Sequence, residues 1–274
     1  MPLFNLLILA IIQGVTEFLP ISSSGHLILL PKLTGTQDQG LMVDVAVHVG
    51  TLFAVMIYFR RDVALAVSGV PDLLRGRITE PGARLAGLLI IATVPVIIVG
   101  LILNLTGLET RMRSIAVIGW TMLGFGLVLY WADRLPQRRV AESWNMRDAI
   151  VMGLWQALAL IPGTSRSGIT ITGARVLGFD RDDSARLAML MSIPTIIASG
   201  ALLGIEAVAT ANANDVQQAA VAACFAFLAA LIALAVMMRL LTRISFTPYV
   251  VYRVVLGGVL LWIAYSGTNV PNIN

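Results

Sequence analysis

Charge is what this 274-residue chain has least of: Asp, Glu, Lys and Arg make up 12% of it, against 58% hydrophobic residues and a mean hydropathy of +0.87. A soluble domain carries about 25% charged residues. Fifteen acids and nineteen bases cannot coat a globule of this size with a solvated surface. A soluble single domain and a disordered chain are therefore excluded. Cysteine is nearly absent. The one thiol, Cys224, sits in the apolar run ACFAFLAALIALAV, so no disulfide can form within the chain and a disulfide-stapled module is excluded too. Lysine is almost missing: eighteen of the nineteen bases are Arg, and most fall in short segments between apolar runs. That pattern reads as the loop bias of a membrane protein and not as a nucleic-acid surface. P-loop, HExxH and GxSxG sequences are also lacking, which leaves ATP hydrolysis, zinc proteolysis and elbow-type serine hydrolysis without support.

What is present is long apolar sequence. A membrane-crossing helix needs about 20 apolar residues, and the segments 41–59, 85–105, 114–131, 187–208, 218–238 and 248–265 qualify. Two further apolar stretches, 3–19 and 149–161, are shorter and run into FLPISSSGH and LIPGTSRSG. They read as half-helices of re-entrant hairpins, each completed by a second half-helix, 25–33 and 168–178. Irregular backbone at membrane depth is tolerated only where protein buries it or it lines a cavity, which makes these two loops the candidate site. The segments 60–84, 132–148, 175–186 and 239–247 hold fourteen bases, while the opposite side holds Lys32, Arg111 and Arg113. The split predicts that the four segments are cytoplasmic and that both termini are periplasmic. Segment 60–84 reads as a connector. Arg166 and Arg253 are left at membrane depth.

The two hairpins align without a gap. Gln13-Gly-Val-Thr-Glu-Phe-Leu-Pro-Ile-Ser-Ser-Ser-Gly25 set against Gln156-Ala-Leu-Ala-Leu-Ile-Pro-Gly-Thr-Ser-Arg-Ser-Gly168 matches Gln13/Gln156, Ser22/Ser165, Ser24/Ser167 and Gly25/Gly168. The offset, 143 residues, is about half the chain. The spacing predicts an all-α polytopic membrane protein: a single membrane domain over 1–274, with repeat one at about 1–132 and repeat two at about 148–266. Each repeat would hold one hairpin and three spans, an odd number, so the second copy is expected upside down and the hairpin tips meet near the midplane, where such folds place ligands.

At each tip a half-helix restarts after a Ser/Gly cluster, and free N–H groups at a helix start favour anions. Arg166 adds a planar fork suited to phosphate. Glu17 is the only carboxylate in either hairpin, with Gln13 one turn before it. Ser22, Ser23 and Ser24 are nucleophile candidates; His26 and Glu17 are candidate base and acid. This is an inventory for phosphoryl transfer. An all-protein metal cage does not fit one carboxylate, whereas Mg²⁺ or Ca²⁺ bridging Glu17 and substrate phosphates does. His48, in VAVHVGTLF, reads as a structural residue of its span, and Arg253 awaits a partner from Glu206 or backbone carbonyls.

These residues resemble the undecaprenyl-diphosphate phosphatase family, also called bacitracin-resistance proteins. The family's (E/Q)xxxE and Pro–Ser–Ser–x–Gly–His stretch is matched over Gln13 to His26, and PGxSRSGxT over Pro162 to Thr170. Gln13 stands where many relatives have Glu. The resemblance implies an inner-membrane enzyme that removes the terminal phosphate of undecaprenyl diphosphate, is stimulated by Mg²⁺ or Ca²⁺ and has its site open to the periplasm. Its preferred roles are Ser23 as nucleophile, with His26 and Glu17 relaying the proton, and Arg166 holding the diphosphate. Gly163, Thr164, Ser165, Ser167, Gly168 and Thr170, with Ser22, Ser24 and Gly25, complete the expected phosphate site, and Gln13 supports it. Attack by His26, or by a water that Glu17 activates, stays open. The lipid-phosphatase superfamily with a His nucleophile fits Ser24-Gly25-His26 and Ser165-Arg166 only superficially, because its first motif and second His are missing. A transporter or flippase for a phosphate-bearing lipid is the competing function; a purely structural subunit would leave Glu17, His26 and Arg166 idle at membrane depth. Expected partners are the polyprenyl diphosphate and membrane lipid, with no nucleic acid. Homo-oligomerisation is compatible with the sequence.

Overall fold

The computed structural model describes residues 2–23, 25–27, 30, 40–108, 112–210 and 212–266. Among these residues the regular structure is helical, and the single extended pairing is a bridge between Arg139 and Phe179. Six helices are long and apolar enough to cross a membrane: α2 (Leu41–Tyr58), α4 (Pro81–Thr106), α5 (Ile115–Asp133), α8 (Arg181–Thr210), α9 (Ala213–Leu241) and α10 (Thr247–Tyr265). They coincide with the six expected spans. Several start earlier than hydropathy alone suggests, α4, α8 and α9 by four residues or more. Pro81 takes the first turn of α4, where its missing N–H is harmless. The Asp180 carboxylate caps α8 by accepting from the Asp183 N–H at 2.8 Å, so that helix begins at Arg181 and not near 187.

The two expected re-entrant segments are half-helices. α1 (Leu3–Phe18) stops at Leu19, whose extended backbone (φ −68°, ψ 143°) is the one that the following Pro20 favours. α6 (Met146–Ala157), started by an Asn145–Asp148 capping box, passes through a 3₁₀ turn (Leu158–Leu160) and stops at Ile161 before Pro162. α7 (Arg166–Val176) then restarts. In the first hairpin, residues 25–27 and 30 are helical. The rest of the expected half-helix 25–33, with Ser24, Lys32 and Arg111, lies outside the described residues. One expectation is corrected: the connector at 60–84 contains a helix, α3 (Arg60–Leu74), packed on α4 so closely that a Cβ on Gly69 would lie 2.0 Å from the Gly82 carbonyl carbon.

Small residues set the packing around the hairpins. A Cβ on Gly14 would lie 2.6 Å from the Ala226 carbonyl oxygen, and one on Gly50 only 2.2 Å from that of Ala223, so α1 and α2 both press their backbones onto α9. α5 and α10 meet at Gly119 and Gly257 in the same way. Large apolar side chains face outward along every span, while Gln13, Glu17, Gln156, Thr170, Arg175 and Arg253 are buried. That is the reverse of a soluble domain, as a lipid solvent requires.

The Arg-rich segments gather at one end of the bundle. Arg186 pairs with Asp62 at 2.5 Å, Arg139 with Asp148 at 2.5 Å, and Arg181 with Asp133 at 2.7 Å. The Arg84 guanidinium donates to the Trp144 carbonyl at 2.7 Å, and Asp133 also accepts from the Phe246 N–H at 3.1 Å. Arg175 is fully buried and donates to the Asp133 and Leu135 carbonyls, both at 3.0 Å, where α5 ends. The four segments that charge counting grouped together thus share one end.

Candidate active site

Both hairpin tips are built on the same local backbone. Ser22 and Ser165 are the two non-glycine residues with left-handed φ, +75° and +70°, among those described. Each turns its hydroxyl onto the N–H three residues ahead: Gly25 N to Ser22 Oγ at 3.3 Å, Gly168 N to Ser165 Oγ at 3.2 Å. A serine forced into this region costs about 1–3 kcal/mol, a strain held by the surrounding structure and typical of functional loops. The residue after each cap, Ser23 in one loop and Arg166 in the other, opens the following half-helix.

Both of those residues reach Glu17. The Ser23 hydroxyl donates to Glu17 Oε2 at 2.6 Å, and the Arg166 guanidinium donates to Glu17 Oε1. Gln13 Nε2, one turn earlier on α1, donates to Oε2 at 2.8 Å. The carboxylate is 7% exposed and Arg166 15%. At this depth the pair answers the desolvation of both charges while Ser23 keeps a path to the surface. The tips also meet where Ser167 Oγ donates to the Leu19 carbonyl at 3.0 Å, and Thr121 Oγ1 of α5 holds the second tip by donating to the Pro162 carbonyl at 2.6 Å.

Arg253 fastens the two loops to the spans. It is fully buried on α10 and, among the described residues, no carboxylate pairs with it; its guanidinium donates to the carbonyls of Pro20 (3.4 Å), Gly163 (3.2 Å), Thr121 (3.3 Å) and Met122 (3.1 Å). Of the two answers weighed for Arg253, backbone carbonyls are the one found; the Glu206 side chain lies outside the described residues. Glycine is required beside this clamp. Gly163 has φ +87°, and a Cβ there would strike Thr121 Oγ1 at 2.3 Å; one on Gly168 would lie 2.9 Å from the Arg253 guanidinium.

His26 takes a different direction from the one its place in the motif suggests. Its Nδ1 lies 2.6 Å from the Ser22 carbonyl, which can only accept, so Nδ1 carries the proton. Nε2 then accepts from the Tyr252 hydroxyl at 2.5 Å, and the two rings stack 5.7 Å apart. Among the described residues, no hydrogen bond joins His26 to Ser23. His48, read from the sequence as a span residue, stands with Nε2 3.8 Å from Glu17 Oε2. Neither Tyr252 nor His48 lies in a motif. The one sequence signal for Tyr252 is its place beside Arg253, an arginine within a span.

The other expected phosphate ligands are buried around the second tip. Ser165 and Ser167 are occupied by the cap and by Leu19, and Thr170 donates to the Arg166 carbonyl of its own helix at 2.8 Å. Thr164 Oγ1 and Gln13 Oε1 are buried without a hydrogen-bond partner among the described residues. No cluster of three or more metal-ligating side chains occurs among those residues. Glu17, the one carboxylate here, already has both oxygens engaged by Arg166, Gln13 and Ser23. The donor set does not fit a protein-held divalent ion. Beside the site, an apolar groove of about 650 Å³ runs between α1, α9 and α10, from Leu19 past Val236 and Met237 to Pro248 and Tyr249.

Six helices fit to span a membrane, with a carboxylate, a hydroxyl and an arginine meeting where two further helices break, define a polytopic helical membrane protein. The chain belongs to the bacitracin resistance protein BacA family, whose model matches residues 6–259. It is 68% identical over 267 residues to the undecaprenyl-diphosphatase of Dinoroseobacter shibae and 65% identical over 267 residues to that of Jannaschia sp., in each case covering 97% of this chain and 100% of the relative. The undecaprenyl-diphosphatase of Hahella chejuensis is 45% identical over 260 residues, covering 94% of this chain and 97% of the relative.

Proposed function

We propose that this protein hydrolyses undecaprenyl diphosphate to undecaprenyl phosphate and inorganic phosphate, recycling a lipid carrier for cell-wall synthesis and conferring bacitracin resistance. The observation that carries the reading is the contact of Ser23 and Arg166, from opposite tips, with the two oxygens of Glu17. The diphosphate competes with Glu17 for Arg166, whose fork suits phosphoryl oxygens. Glu17, released from Arg166, takes the Ser23 proton at Oε2. Ser23 Oγ forms a bond to the terminal phosphorus as the bond to the bridging oxygen breaks, and that electron pair leaves on the lipid monophosphate. Once Glu17 has passed that proton on, it takes a proton from water, whose oxygen bonds to phosphorus as the bond to Ser23 Oγ breaks; the same proton then returns to Ser23 Oγ, and inorganic phosphate leaves. Free N–H groups at the half-helix starts and Thr164 add neutral donors for the phosphoryl oxygens.

With the Ser22 carbonyl on its Nδ1 and the Tyr252 hydroxyl on its Nε2, His26 has no free nitrogen for attack, whereas Ser23 already faces its base. The apolar groove from Leu19 to Tyr249 supports a ligand with a polyprenyl tail. Any dependence on Mg²⁺ or Ca²⁺ enters with the diphosphate and not through a protein cage. The fourteen bases at one bundle end support an inner-membrane orientation with that end cytoplasmic, both termini periplasmic and the site reached from the periplasm. The matched loop backbones support two repeats inserted in opposite senses.

Phosphate release from C55 diphosphate by the purified protein is the test. Ser23→Ala is expected to abolish turnover while lipid binding persists. Full activity of Ser23→Ala with a dead His26→Ala would transfer the nucleophile to His26. Vectorial lipid movement without phosphate release would overturn hydrolysis in favour of a carrier.

A further inference from the structure

We infer that His48 is a working part of this site, the group that receives the proton Glu17 takes from Ser23; the inference rests on the hydrolytic reading above. His48 lies on α2, outside both hairpins. Its Nδ1 is 2.7 Å from the carbonyl of Asp44, one turn earlier, and a carbonyl only accepts. The proton is therefore on Nδ1, and in the neutral form of the ring Nε2 presents a lone pair. That lone pair faces Glu17 Oε2 at 3.8 Å, the same oxygen that accepts from Ser23. Two acceptors turned toward each other are attractive only once a proton stands between them. The arrangement suits the moment when Glu17 has become protonated.

The neighbourhood leaves His48 to this task. Among the described residues, no hydrogen bond or ion pair joins its ring to α3, α8 or α9, the other helices packed on α2. The charged groups facing it are Glu17 on α1 and, behind Glu17, Arg166 on α7. The ring is 37% exposed against 7% for Glu17, so a proton that arrives at Nε2 is less enclosed than one held on Glu17. The 3.8 Å separation exceeds a hydrogen bond, but catalytic contacts tighten when substrate binds. The trigger is present: once the diphosphate draws Arg166 away, Oε1 loses its partner and the carboxylate is free to turn toward the imidazole.

The step balances. The proton leaves Ser23 Oγ, rests on Glu17 Oε2 and moves to His48 Nε2 with no change in electron count, restoring the carboxylate to deprotonate water in the second half-reaction. This gives a chain with Gln at position 13 a second proton acceptor, which its first motif does not supply.

The experiment is a pH profile of phosphate release from C55 diphosphate by the full chain in detergent, for the unaltered protein, His48→Gln and His48→Phe. Gln keeps polarity and cannot take a proton; Phe keeps the ring volume. The unaltered protein should gain activity with rising pH. Both variants should lose that rise, with kcat lowered roughly ten- to hundredfold and KM within about twofold, as for a partial loss of acid–base catalysis. Free imidazole added to His48→Gly should restore part of the rate, a response that a purely structural role would not give. Variants that retain the unaltered rate and pH profile overturn the inference and leave the phosphatase reading intact. Absence of phosphate release by the unaltered protein overturns both.

Discussion

The two hairpin tips have nearly the same backbone and opposite chemistry. Each breaks before or at a proline, places a left-handed serine and restarts a helix under that serine's hydroxyl. At the first helical position one tip presents Ser23 and the other Arg166, and both point to the single carboxylate. Elsewhere they diverge: Glu17 and His26 occupy places that the second tip fills with Leu160 and Ile169. One tip holds the carboxylate and the imidazole, and the other carries fixed positive charge. The lesson is that the backbone sets where reacting atoms stand, and the side chains then share out the work between the tips.

Removing the shared carboxylate should do the most damage. Glu17→Gln takes away the base and leaves Arg166 with no anion to pair with, so phosphate release should fall by at least about 10³-fold in single-turnover assays. A residual rate near that of the unaltered protein would break the division of roles between the tips. Arg166→Lys keeps the charge and loses the fork. It should lower kcat by roughly 10²-fold, since one point charge cannot serve two phosphoryl oxygens; recovery to the unaltered rate would reduce Arg166 to a counter-ion. The smallest effect is expected at the caps. Ser22→Ala and Ser165→Ala each lose one helix-capping bond, worth about 1 kcal/mol, and should lower the thermal midpoint of the detergent-solubilised protein by similar amounts. A large difference between them would show that the two loops are equivalent in form but unequal in support.

Much of this arrangement is legible in sequence because membranes restrict the vocabulary. Hydropathy gives the six spans, and prolines 20 and 162 mark the breaks because the preceding residue must leave helical geometry. Glu17 and Arg166 stand out because unpaired charge at depth is costly, while their pairing is visible only in the structure. The remainder is hidden for a physical reason. Arg253 is answered by four carbonyls, and every residue has a carbonyl, so no sequence pattern announces its partners. His26 meets Tyr252 across 226 residues through a contact fixed only by how α10 lies against the first hairpin. His48 reads as a span residue until α1 and α2 are brought together on α9. The helix within 60–84 hides behind its own polarity, because exposure to water on one side lowers its hydropathy below that of a span.

Arg253 has one more consequence. Because it grips main chain only, its hold on Pro20 and Gly163 does not depend on what side chains the neighbouring positions carry. Substitutions can accumulate along both loops without loosening the joint between them, provided that glycine stays at 163 and 168. Such a joint lets the reactive groups on the loops change while the framework that aims them stays the same.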